Sequence, residues 1–143
     1  MARLSYLLDS NILSEPSRPR PNTEVQSRLQ AHRHEVCTAA PVLHEMHYGL
    51  TRLPEGRRKQ ELTRYLEQVL NQPLTICSYD REAAIWHAEE RARLTSQGRT
   101  PSYVDGQIAA IAMVNSLILV TRNTDDFADF VDLTVENWFE PSQ

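Results

Sequence analysis

At 143 residues, with 41% hydrophobic and 24% charged residues, the chain has the length and composition of one soluble globular domain with its own core. No apolar run approaches the roughly 18 residues of a transmembrane helix. The opening MARLSYLLDSN lacks the apolar stretch and cleavage site of a secretory leader, so no membrane partner and a cytoplasmic location are expected. A formal net charge of −4 argues against broad, sequence-blind binding of nucleic acid, while leaving room for an acidic site ringed by arginines.

The first element is an apolar strand that runs through Leu7 and Leu8 into Asp9, Ser10 and Asn11. A carboxylate and an amide at that point either cap a helix or deliver Asp9 to a working site. The proline-rich piece 15–22, EPSRPRPN, reads as a loop, because each proline bars its predecessor from helix. Thr23 to Gln26 fits a capping box, with Val25 and Leu29 one turn apart behind it. A short strand is expected in 35–40, EVCTAA. A helix starting at Pro41 follows, with Val42, Met46 and Leu50 spaced by four. A second helix spans 56–70, with Leu62, Leu66, Val69 and Leu70 on one side. Next come a strand in 73–80, a helix closed by Gly98, and an apolar helix opened by Pro101 and Ser102. The run 117–123, LILVTRN, has the continuous apolar character of a central buried strand, and VDLTVENW holds a last short one.

Strands alternating with helices imply an α/β fold with a doubly wound parallel sheet over 1–143. In such sheets ligands bind beyond the carboxyl ends of the strands, where both Asp9 and Asn123 are expected. Cys37 and Cys77 lack a C-x-x-C spacing and are expected to be free thiols. His44 and His47, three apart, suit a metal less well than a solvated helix edge. Fourteen arginines stand against one lysine, Lys59, and the basic stretch with Arg52, Arg57, Arg58 and Arg64 reads as a solvated helix face with Glu55 and Glu61.

Three acids recur at strand ends or early helix turns. Asp9 follows the first strand, Glu45 borders the apolar face of the Pro41 helix, and Asp105 lies in the first turn of the apolar helix. The helix dipole accounts for Asp105 alone, not for all three. Carboxylates brought together repel, at a cost that a hard divalent cation removes. Mg²⁺ or Mn²⁺ with oxygen ligands points to attack of water on a phosphodiester.

At these residues the sequence resembles the PIN-domain ribonuclease toxins of the VapC family, in their FitB-like branch. LLDSNILSEPSRPRPN matches the first motif, TAAPVLHEMHYGL the second, and SYVDGQIAAIAMVNSLILVTRNTDDF the third and fourth, in the family's order over nearly the whole chain. The resemblance implies a PIN fold and a Mg²⁺- or Mn²⁺-dependent endoribonuclease that is the toxin of a type II toxin–antitoxin pair. By resemblance, Asp9, Glu45, Asp105 and Asn123 are catalytic, with Asp9 and Asp105 on the metal. Ser10, Asn11 and Thr121 support the site. The sequence departs from the family at Asn123, where many members carry a fourth acid; Asp126 is a candidate to replace it. The resemblance further implies an RNA substrate, a VapB-like antitoxin whose tail places an arginine in the acidic site, operator DNA bound only through that antitoxin, and a homodimer.

Rival enzyme classes lack their residues. A receiver domain needs a late lysine, a haloacid-dehalogenase-like phosphatase needs Asp-X-Asp where this chain has Asp-Ser-Asn, and the four isolated glycines make no P-loop. The remaining alternative is a catalytically silent PIN-fold module that binds RNA or protein.

Overall fold

The computed structural model describes residues 3–141. Among these residues five short parallel strands form one sheet: β1 (Tyr6–Leu8), β2 (Val36–Ala39), β3 (Thr75–Cys77), β4 (Ile118–Val120) and β5 (Val135–Glu136), in the order β3-β2-β1-β4-β5. The central strand β1 pairs on one side with β2, Tyr6 opposite Val36, and on the other with β4, Leu7 opposite Leu119. Leu7, Leu8, Leu119 and Val120 are at most 1% exposed. Burial on both faces is why these strands read as unbroken apolar runs rather than alternating ones.

Among the described residues six helices flank the sheet: α1 (Ser10–Leu13), α2 (Thr23–Ala31), α3 (Ala40–Arg52), α4 (Arg57–Asn71), α5 (Arg81–Ser96) and α6 (Tyr103–Val114). The doubly wound α/β architecture is therefore as the sequence implied. Gly98, at φ 72°, ends α5; its left-handed backbone lets Arg99 N–H reach back to Leu94 O at 2.8 Å. The most buried helix is α6, with Ile108 to Ala112 all enclosed, and its first turn is capped by Ser102. Among the described residues no helix is long and apolar enough to cross a membrane.

Two local expectations change. The cap of α2 is Asn22, whose side-chain oxygen accepts from Val25 N–H at 3.0 Å, not Thr23. An amide one residue earlier outcompetes the hydroxyl because Asn22 is itself held: its N–H donates to the buried Glu15 carboxylate at 2.8 Å. The same Glu15 begins a single 3-10 turn, Glu15–Ser17, in place of the expected loop; Pro16 supplies the φ such a turn needs.

The basic stretch of α4 is indeed a solvated face. Arg57 pairs with Glu61, Lys59 with Glu55, and Arg58 donates to Ser17 O. Cys37 and Cys77 are free thiols on neighbouring strands, and burial pushes the Cys37 thiol up to about 12. His44 and His47 lie at the surface, His44 stacked beside Tyr48.

Candidate active site

The chain leaves β1 at Asp9, which does two things at once. Its backbone N–H donates to Val120 O, extending the ladder, and its carbonyl accepts from Ile12 and Leu13 N–H, starting α1. Its side chain serves both elements too. One carboxylate oxygen accepts from Ser10 N–H and the other from the Thr121 hydroxyl, both at 2.8 Å. Capping of α1 and the tie between the ends of β1 and β4 are thus one arrangement. Asp9 is 6% exposed and Thr121 fully buried, so this contact is shielded from water.

Thr121, the residue after β4, is the hub of the site. Its hydroxyl donates to Asp9 and accepts from the Asn11 amide at 3.3 Å and from Asn123 N–H at 3.1 Å. Asn11 closes the ring, its side-chain oxygen accepting from Arg122 N–H at 3.0 Å. A hydroxyl with one donor and two acceptor sites is used to capacity here. The two strand ends are therefore tied together by side chains as well as by the ladder.

Glu45 enters from α3. The Ser10 hydroxyl points at its carboxylate at 3.5 Å, a long contact that links the second acid to the end of β1. Asp105 enters from the first turn of α6, where its N–H donates to the Ser102 hydroxyl at 3.1 Å. Burial is the largest cause raising the pKa of Asp9, Glu45 and Asp105 above the usual carboxylate values. The acids also raise one another: Asp9 and Asp105 act on Glu45, and Asp126 acts on Asp9 and Asp105. Hydrogen bonds from Thr121, Ser10 and Ser102 oppose the rise only partly.

Four of the residues singled out by sequence thus share one field: Asp9, Glu45, Asp105 and Asp126. Asn123 is different. It is exposed, and its contact with the site is through its backbone N–H on Thr121 rather than its amide. Asp126, exposed in the 3-10 turn Thr124–Phe127, is the residue of that turn whose charge acts on Asp9 and Asp105.

No ion pair among the described residues involves Asp9, Glu45, Asp105 or Asp126. Hard oxygen donors that repel and have no cation of their own fit Mg²⁺ or Mn²⁺. As they stand, no three His, Cys, Asp or Glu groups among the described residues lie close enough to hold one ion together. The fit is consequently to a cation that keeps part of its water, as Mg²⁺ ordinarily does.

One feature beside the acids had no clear sequence signal. A groove of about 360 Å³ opens between α3 and α4, lined by Met46, Leu50, Leu53, Leu62 and Leu66, with Ser10 and Glu45 at its edge. Tyr65 also lines it and donates its hydroxyl to Leu13 O, fixing the end of α1. Leucines at such a spacing ordinarily form a covered stripe; here α3 and α4 stand apart over part of it.

The PIN domain family model matches residues 6–133. The chain belongs to the PIN-domain family. It is 35% identical over 125 residues to Toxin FitB of Neisseria gonorrhoeae, covering 85% of this chain and 89% of that protein. It is 31% identical over 135 residues to Ribonuclease VapC2 of Haemophilus influenzae, covering 94% and 98%. Among solved structures, FitAB bound to an IR36 DNA fragment superposes with a TM-score of 0.85 at 32% identity, over 96% of this PIN domain and 98% of that chain.

Proposed function

We propose that this PIN domain is a Mg²⁺- or Mn²⁺-dependent endoribonuclease, the toxin of a type II toxin–antitoxin pair, acting as a single domain over 1–143. The observation that carries the reading is that Asp9, Glu45 and Asp105, from three separate elements, lie near enough to raise one another's pKa. Each carboxyl is raised by burial, and none is paired with a cationic side chain. A purely structural acid as buried as Asp9 would ordinarily be paired with a cation, while Glu45 and Asp105 are half-buried. The names Toxin FitB and Ribonuclease VapC2 borne by its relatives support the same reading.

Asp9 and Asp105 would hold the cation, which when bound supplies Lewis-acid activation of water and neutralises charge on a phosphodiester. Thr121 and Asn11 keep Asp9 in one orientation, and Ser10 does the same for Glu45. Glu45, raised in pKa and at the mouth of the groove, is the group positioned to take a proton from the attacking water. Asp126 adds negative charge from the turn, and Asn123 acts through its backbone.

An antitoxin segment fits the surface beside the site. Apolar side chains would fill the α3–α4 groove while an arginine reached Glu45 at its edge. Operator DNA would be contacted through the antitoxin rather than through this chain, whose formal net charge is −4. The FitAB complex bound to an IR36 DNA fragment is in keeping with that arrangement. A homodimer is in keeping with exposed Ile85 on α5.

The test is cleavage of RNA by the purified protein with Mg²⁺ or Mn²⁺, with and without chelator, followed by sequencing of the new ends. Cleavage that stops with chelator and in a folded Asp9→Asn variant is expected. Binding of RNA with no metal-dependent cleavage would instead identify a silent module.

A further inference from the structure

Asp105 stands on α6 beside a contact that the acidic site does not account for. His87 of α5 is 2% exposed, and its Nε2 has no hydrogen-bond partner, the one such buried side-chain atom among the described residues. Its other ring nitrogen, Nδ1, lies 2.8 Å from the Tyr79 hydroxyl. Whichever of the two carries the shared proton, Nε2 is left as an unpaired donor or acceptor. Natural cores seldom keep such an atom without a reason.

The reason is visible in what the ring touches. It packs on Gly106, the residue after Asp105, so closely that a Cβ there would lie 2.1 Å from Nε2 and 2.6 Å from Cδ2. On the other side of Asp105, the Tyr103 ring lies 5.0 Å from the imidazole, centroid to centroid. His87 thus grips the first turn of α6 at residues flanking Asp105. The ring cannot easily turn aside, because Tyr79 holds Nδ1. Gly106 is not needed for backbone conformation, since it sits inside a helix; it is needed for the approach of the ring.

We propose that Tyr79, His87 and Gly106 form a clamp that positions Asp105 for cation binding, His87 acting through the first turn of α6 rather than on the ion or the substrate. This rests on the metal site proposed above. The clamp makes a size-swap prediction that ordinary packing does not. Any methyl added at residue 106 must displace the ring or the turn, and only removal of the ring should return Asp105 to its place.

The experiment titrates Mn²⁺ calorimetrically into metal-free wild type, Gly106→Ala, His87→Ala and the double variant, with melting temperatures measured in parallel. Gly106→Ala is expected to weaken Mn²⁺ binding by about tenfold or more, and the double variant to recover to within about threefold of wild type. Ile111→Val, a core change further along α6, should lower the melting temperature yet leave Mn²⁺ affinity unchanged. Wild-type affinity in a folded Gly106→Ala, or a double variant no better than the single one, overturns the clamp. If Gly106→Ala does not fold, Tyr79→Phe replaces it: freeing the imidazole should weaken Mn²⁺ binding, and unchanged affinity overturns the proposal. A metal-free crystal structure of the folded variant, Gly106→Ala or its replacement, separates the clamp from the metal site. A shifted Asp105 supports the clamp even if wild type takes no Mn²⁺, a result that would sink the metal site alone. An Asp105 left in place refutes the clamp.

Discussion

The strand ends and the turn that follows them contribute to the same field by opposite means. At the ends of β1 and β4, Asp9, Asn11 and Thr121 are joined by hydrogen bonds that use the Thr121 hydroxyl to capacity, and Asp9 and Thr121 are shut away from water. Just beyond Thr121, Asn123 and Asp126 sit exposed at a 3-10 turn with no side-chain cap. The first region holds its charge in one place at the expense of desolvation. The second supplies charge that is solvated. Chemistry that needs a fixed ligand should depend on the first far more than on the second.

The largest effect should follow from breaking the fixed region directly. Asp9→Asn is expected to lower metal-dependent cleavage by about 100-fold or more while the circular dichroism spectrum stays that of the folded protein. Full cleavage by the folded variant would mean that the strand end is merely structural. Asp105→Ala should also abolish cleavage, and in the metal-free protein it should leave the melting temperature unchanged or raised, because a repelling carboxylate is gone. An unfolded Asp105→Ala protein would favour a capping role.

A smaller effect is expected from Thr121→Val, which keeps the shape but removes the hub. Asp9 loses a donor, and Asn11 and Asn123 lose an acceptor. The cost should be about 1–3 kcal/mol in a urea melt, with cleavage reduced by roughly 10- to 100-fold. A loss of stability with cleavage unchanged would show that the network holds the fold and not the ligand.

The electrostatic difference can be read without any substrate. In the folded protein the pKa values of Asp9, Glu45 and Asp105 lie above their ordinary values, chiefly because of burial. In the interval between the ordinary values and the raised ones, the folded protein holds more protons than the unfolded chain. Stability must then fall as pH rises through that interval. In the chelated protein the three acids should lower stability as pH rises through that interval, opposed by His87, whose lowered pKa has the reverse sign, and saturating Mn²⁺ should remove the acids' share of the dependence. A dependence on pH that saturating Mn²⁺ left unchanged would contradict the shifts of the acids.

The turn should give the smallest response. Asp126→Ala is expected to weaken Mn²⁺ binding modestly, since its charge reaches Asp9 and Asp105 through solvent. Asn123→Asp should change affinity by less than about threefold, because the side chain at 123 is solvated and its backbone contact is retained. A tenfold tightening by Asn123→Asp would erase the distinction between the two regions and make residue 123 a ligand.

The chain's order of apolar runs and punctuating residues was enough to determine the alternation of strands and helices, and with it the parallel sheet and the edge at which Asp9 emerges. Those follow from local rules: period, proline and glycine, and burial on both faces of β1 and β4. The choice of Asn22 over Thr23 as the cap of α2 did not follow, because Glu15, eight residues before Thr23, holds the Asn22 backbone. Asp9, Glu45 and Asp105 could be named from their places in the chain. Their mutual effect required α3 and α6 to be packed against the ends of β1 and β4. Thr121 looked like one supporting residue among several; only the fold showed one hydroxyl shared by Asp9, Asn11 and Asn123. The open groove between α3 and α4 and the seat of His87 on Gly106 were likewise decided by tertiary packing. Side-chain type and spacing carry the period of an element, but the distance between two faces is set by everything else that packs around them.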